Sequence, residues 1–206
     1  MKKKYSVLML AILIITSLLM GCVPTNKSVD NDDNKEAQNL SVSLGKYAKI
    51  DEKEIEDVYG DDAELINLIN QFVGYKAPNL TITDLDGNEV NISDFKGENV
   101  ILEFMGTWCP VCEESVSNIE DYNENYEKAK IISVSLNEEV EDVEKFIEEK
   151  NIKNIDYYLA NENVEDVYSI RFVPLLFFID KEQIVQFIMA GDISSDMLQV
   201  YSDKAF

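Results

Sequence analysis

Cys109 and Cys112, in the run Trp108-Cys109-Pro110-Val111-Cys112, are the residues of this chain best suited to do chemistry. Two cysteines three positions apart on one helical turn close a disulfide with little chain movement. The chemistry they offer is thiol–disulfide exchange, in which one thiolate attacks a disulfide sulfur and the second thiol resolves the mixed disulfide. The setting supports this use. Asn99 to Met105 is a mostly apolar run, as a buried strand requires, and Glu113 to Tyr126 reads as a helix. Cys109 then stands at a helix N-terminus, where free N–H groups and the helix dipole favour a thiolate. Pro110 suits the first helical turn, since its missing N–H is not needed there. The alternatives are a structural disulfide or half of a zinc site. Zinc would need further ligands, and the sequence has no histidine and only one other cysteine, Cys22. No metal and no cofactor beyond the Cys109–Cys112 couple is expected.

The composition narrows the function from the other side. The chain has 206 residues, 46% of them hydrophobic, which suits one packed domain with short appendages. Lys and Arg number 18 against 40 Asp and Glu, a net charge of −22. Such a surface repels nucleic acid. The absence of histidine removes Ser-His-Asp and Cys-His catalysis, His-ligated zinc and Cys-x-x-Cys-His haem attachment.

The N-terminus reads as an address. Lys2, Lys3 and Lys4 precede an apolar run from Val7 to Met20 that is short for a spanning helix and fits a secretory signal. It ends Leu19-Met20-Gly21-Cys22, which resembles the lipobox of bacterial lipoproteins. That resemblance implies cleavage before Cys22, lipidation of its sulfur and a domain anchored at the extracytoplasmic face of the cell membrane. The expected organisation is a signal peptide over 1–21, the lipidated Cys22 and a flexible acidic tether over 22–49, a helical extension over 50–76 and a catalytic domain over 77–206. Gly60 is expected to split the extension into two short helices, with Leu65, Ile66, Ile69 and Phe72 on an apolar stripe.

The remaining elements follow from pattern. Leu80 to Thr83 and Val90 to Ile92 flank Asp86-Gly87-Asn88 as a hairpin. Lys130 to Leu136 is a buried strand and Glu139 to Lys150 an acidic amphipathic helix. Tyr157 to Ala160 is a short strand and Val164 to Ser169 a short helix. Leu175 to Ile179 and Ile184 to Ala190 are strands joined at Asp180 to Glu182, and Ile193 to Ser202 is a closing helix. Alternating strands and helices give an α/β fold.

Ala77-Pro78-Asn79-Leu80, Asp86-Gly87, Ser93-Asp94-Phe95-Lys96-Gly97 and Gly106-Thr107-Trp108-Cys109 together resemble the thioredoxin-like redoxin family, in particular its membrane-tethered TlpA/ResA-type branch. The resemblance implies a thioredoxin-like fold: a central mixed sheet flanked by helices, with an N-terminal hairpin and a strand–helix insert over 137–160. It implies that Cys109 is the nucleophile and Cys112 the resolving thiol. It places Val173-Pro174 at the family's cis-proline, facing the cysteines and contacting substrate with Trp108 and Pro110. Glu103 stands where thioredoxin has a buried acid that accepts the proton of the second cysteine, although tethered relatives often carry an amide there. Glu138 matches an acidic residue near the active site. Implied partners are protein disulfides, for instance apocytochrome c, a methionine sulfoxide reductase or secreted proteins, with a membrane-embedded thiol donor supplying electrons. The acidic surroundings disfavour a thiolate and so favour a reducing direction. Two other readings compete: a peroxiredoxin-like thiol peroxidase, whose spacing of Pro and Thr before the cysteine is not met here, and a non-enzymatic partner-binding lipoprotein. If the lipobox is used, Cys22→Ala abolishes acyl labelling and releases the protein from the membrane fraction; unchanged labelling refutes it.

Overall fold

The computed structural model describes residues 62–126, 128–161 and 163–206. The expected signal peptide, Cys22, the tether and the first helix of the extension lie outside the described residues. The second helix of the extension is present as α1, Ala63–Phe72. Its N-cap Asp62 accepts hydrogen bonds from the backbone N–H of Glu64 and Leu65 at 3.0 and 3.1 Å. Leu65, Leu68, Ile69 and Phe72 form its buried stripe. Ile66, expected on that stripe, is only half-buried.

The hairpin follows as β1, Thr81–Asp84, and β2, Glu89–Asn91. Its turn is held by the Asp84 carboxylate, which accepts from the N–H of Asp86 and Asn88. Gly87 takes the left-handed φ of 87° that the turn needs. A 3₁₀ turn over Ile92–Phe95 leads to β3, Val100–Met105, buried at every position. Then come α2, Pro110–Tyr126; β4, Lys130–Ser135; α3, Val140–Lys150; β5, Asp156–Ala160; and α4, Val164–Val167. The chain ends in β6, Leu175–Ile179, β7, Val185–Ala190, and α5, Ser195–Ala205.

The strands form one seven-stranded sheet in the order β2-β1-β5-β4-β3-β6-β7. β3, β4 and β5 run parallel, while β1, β2, β6 and β7 add antiparallel pairs at the two sides. This is the mixed sheet expected for a thioredoxin-like fold, and α3 with β5 is the expected insert. Alternation along β3 divides the core. Leu102 and Phe104 pack with α1, Tyr168 and Phe177 on one face. Ile101 and Met105 face α2, α3 and α5 on the other, with Cys109 and Cys112.

Register places side chains of neighbouring strands in rows across each face. The row through the centre of β3 runs Leu176, Glu103, Ser133, Tyr157. On the opposite face the Phe104 ring lies 4.9 Å from that of Tyr168 and 5.8 Å from that of Phe177. Removing so large a buried ring leaves a cavity that rigid neighbours fill only in part. Phe104→Ala is expected to destabilise the domain by about 3–5 kcal/mol, read as a lower denaturant midpoint with an unchanged slope.

Candidate active site

The strand-to-helix junction builds the site. β3 stops at Met105 and α2 starts at Pro110, so Gly106 to Cys109 must make the turn. Cys109 caps the helix. Its sulfur accepts the N–H of Cys112 at 3.2 Å, and its carbonyl accepts the N–H of Glu113 at 3.0 Å. A thiolate at Cys109 therefore meets a backbone donor as well as the positive end of the helix dipole. Both cysteines are in the dithiol form. The two differ little in exposure: Cys109 is 5% exposed and Cys112 fully buried. What separates them is what they touch. Cys109 borders an open cleft, whereas Cys112 lies under the first turn of α2, where burial pushes its thiol well above the usual range and the sulfur of Cys109 adds to the effect.

The turn itself is held from the segment that follows β4. The carboxylate of Glu138 accepts the N–H of Thr107 at 2.8 Å and the hydroxyls of Thr107 and Ser135. Glu138 thus grips the chain two residues before Cys109. Gly106 serves the same turn by having no side chain, since a Cβ there would fall 2.4 Å from Cε2 of the Trp108 ring. The indole lies over that glycine, 61% exposed, with Nε1 3.5 Å from the carbonyl oxygen of Leu136.

Across from the cysteines, the Val173–Pro174 peptide is cis, as expected. The Val173 carbonyl oxygen lies 3.7 Å from the sulfur of Cys109. Between these segments opens a cleft of about 370 Å³, lined by Trp108, Cys109, Pro110, Ile170, Arg171 and Val173 among others. Its lining is mainly apolar, and Arg171 is the one arginine of the sequence. The cleft meets a second, more polar depression of about 230 Å³ at Leu136 and Glu165, whose walls include Asn137, Asn161 and Asn163. Of the expected site residues, Trp108, Cys109, Pro110 and Cys112 lie at the strand-to-helix junction, Glu138 holds it and Val173–Pro174 faces it; Cys22 is outside the described residues.

Glu103 is buried among apolar side chains on the α2 face of β3, 1% exposed. Oε2 accepts the hydroxyl of Ser133, while Oε1 has no hydrogen-bond partner. Burial raises its pKa from an ordinary 4.5 to about 7, with the Ser133 hydrogen bond pulling the other way. Its negative charge disfavours ionisation of both Cys112 and Tyr157. Sequence reasoning did not single out Ser133, Tyr157 or Arg171. Two serines in the otherwise apolar run Ile131-Ile132-Ser133-Val134-Ser135 were the available signal.

The raised value fixes a direction of pH dependence. The folded protein favours the neutral acid, so this contribution to stability is complete below about pH 4.5 and is lost as pH rises through about 7. A shift of that size corresponds to about 3 kcal/mol. Glu103→Gln is expected to flatten the stability curve between those pH values and to raise the unfolding temperature at pH 8 by several degrees. Parallel curves for the two proteins would mean that Glu103 ionises freely in the folded state.

Residues 73–188 match the AhpC/TSA family. The thiol-disulfide oxidoreductase ResA of Geobacillus kaustophilus is 32% identical over 129 residues, covering 62% of this chain and 74% of the relative. ResA of Bacillus cereus is 29% identical over 134 residues, covering 64% and 78%. Among solved structures, the thioredoxin domain of a thiol-disulfide oxidoreductase from Bacteroides vulgatus superposes with a TM-score of 0.56 at 28% identity, over 64% of this chain and 96% of that one. The exposed lipoprotein thioredoxin Etrx1 of Streptococcus pneumoniae shares the fold, with a TM-score of 0.54 at 20% identity over 62% and 99%. With a cysteine pair at the head of α2, a cis peptide opposite it and these relatives, the chain belongs to the AhpC/TSA family and is a thioredoxin-like thiol-disulfide oxidoreductase of the ResA type.

Proposed function

We propose that this protein is an extracytoplasmic disulfide reductase, anchored through Cys22, that transfers two electrons from the Cys109–Cys112 dithiol to disulfides in partner proteins. The observation that carries the reading is the position of Cys109: its sulfur is capped by the Cys112 amide and borders a cleft closed on the far side by Val173. The Cys109 thiolate attacks one sulfur of the substrate disulfide, and the other leaves as a thiolate that takes a proton from solvent. The mixed disulfide is then broken by Cys112. Its proton passes to the Glu103 carboxylate, its sulfur bonds to that of Cys109, and the substrate departs as a second thiolate. Glu103 suits this role because it is buried beside Cys112 and changes charge near neutral pH.

The substrate is read as a polypeptide, because the apolar cleft and the exposed Trp108 offer an extended surface next to a deeply set sulfur. Apocytochrome c, a methionine sulfoxide reductase and secreted proteins are the candidate substrate classes, with a membrane-embedded thiol as donor. The Glu103 charge beside Cys112 supports the reducing direction, since it disfavours a thiolate there and so favours the disulfide form of this protein.

Two measurements test the reading. Alkylation of the reduced protein at neutral pH should modify Cys109 well before Cys112. Cys112→Ser should accumulate mixed disulfides on Cys109 with partner proteins, whereas Cys109→Ser accumulates none. Trapping through Cys112 would reverse the assignment. Peroxide consumption as fast as disulfide reduction would make the protein a peroxidase.

A further inference from the structure

We propose that Ser133 and Tyr157 form a hydroxyl chain that holds Glu103 ready to accept the Cys112 proton, with Ser133 bound to the carboxylate and Tyr157 acting through Ser133. The inference rests on the proton-accepting role of Glu103 given above and adds residues from two further strands. Its basis is placement. Glu103, Ser133 and Tyr157 occupy one row across β3, β4 and β5, paired residue to residue, so their side chains share the face that α2 covers. Glu103 and Tyr157 are 1% and 5% exposed and Ser133 is fully buried. Polar groups are rarely buried in such a row without use or partner.

The hydrogen-bond inventory gives the chain its direction. The Ser133 hydroxyl donates to Oε2 of Glu103. A serine hydroxyl that donates once still has lone pairs with which to accept. The Tyr157 hydroxyl has no hydrogen-bond partner in the structure; register pairs its residue with Ser133, and the link between the two hydroxyls is the part the proposal adds. Burial and the Glu103 charge hold Tyr157 as a neutral phenol, hence as a donor. In the proposed order Tyr157 O–H would donate to Ser133 Oγ, and Ser133 O–H donates to Glu103 Oε2, so that forming the first link would strengthen the second by polarisation. It also leaves Oε1, the oxygen with no partner, as the atom that takes the proton.

The polar or ionisable groups that face this carboxylate are few. Cys112 approaches from α2, Ser133 from β4 and Tyr157 from β5, while β6 contributes the apolar Leu176. Glu120 of α2 acts on the Tyr157 end of the row, and Cys109 acts on Cys112. During resolution the carboxylate becomes a neutral acid at Oε1 as the Cys112–Cys109 bond forms and the substrate sulfur leaves, and the chain has only to stabilise the charged state before that transfer. The hydroxyls are positioning groups: neither gains nor loses a proton overall.

The test is a double-mutant cycle read in pH profiles. Single-turnover resolution of a preformed mixed disulfide is followed from pH 5 to 9 for the unaltered protein, Glu103→Gln, Ser133→Ala, Tyr157→Phe and the Ser133→Ala/Tyr157→Phe pair. A ¹³C titration of the Glu103 carboxyl gives the same midpoint without relying on turnover. Ser133→Ala should move the rising limb up by about one pH unit, a tenfold loss of rate on that limb. Tyr157→Phe should move it the same way by less, and should move it no further when Ser133 is already alanine. Ser133→Thr, which keeps the hydroxyl, should restore the position of the limb, and serves where Ser133→Ala loosens the packing. If Glu103→Gln keeps the limb, the underlying role of Glu103 fails. If Glu103→Gln abolishes it while Ser133→Ala leaves it in place, or if the effect of Tyr157→Phe persists without Ser133, the hydroxyl chain is wrong.

Discussion

The site depends on the hydrogen bond from the Cys112 amide to the Cys109 sulfur. It makes a reactive atom serve also as the cap of a helix. The first N–H groups of α2 have no partners within the helix, and the cysteine supplies one. Much of the surrounding structure can be understood as holding that cap in register: β3 buried at both faces, Glu138 gripping Thr107, Gly106 leaving room for the indole, and Val173 bounding the opposite wall.

Glu103 illustrates a tension within the same core. A carboxylate in a strand that packs between helices costs stability once ionised, and a glutamine would relieve that cost. Retaining the acid is consistent with the proposed proton transfer, for which an amide cannot substitute. The arrangement spreads the cost across the sheet, since the residue beside Glu103 in the next strand is a serine able to donate rather than an aliphatic side chain.

The fold was legible because its signals were local and periodic. The hairpin around Asp86-Gly87-Asn88, the apolar strands and the amphipathic α3 each follow from a short pattern and fall within one residue of expectation, whereas α2 begins three residues earlier and α5 ends three residues later than expected. Cys109, Cys112 and the cis Val173–Pro174 bond were readable because they sit in a motif or match a family position. Glu138 was readable as acidic and nearby, but its grip on Thr107 depends on a contact 31 residues apart in sequence. Ser133 and Tyr157 were not legible as a pair with Glu103. Their meaning comes from register across three strands, which no single stretch of sequence encodes. Arg171 acquires interest only when its loop is seen to wall the cleft.

The burial of Glu103 has a consequence for how this molecule can be observed. A protein without histidine lacks the side chain that ordinarily buffers near neutrality. Glu103, displaced to about 7, fills part of that gap. Proton uptake measured by calorimetry in buffers of differing ionisation heat would therefore report on this carboxylate against an unusually quiet background.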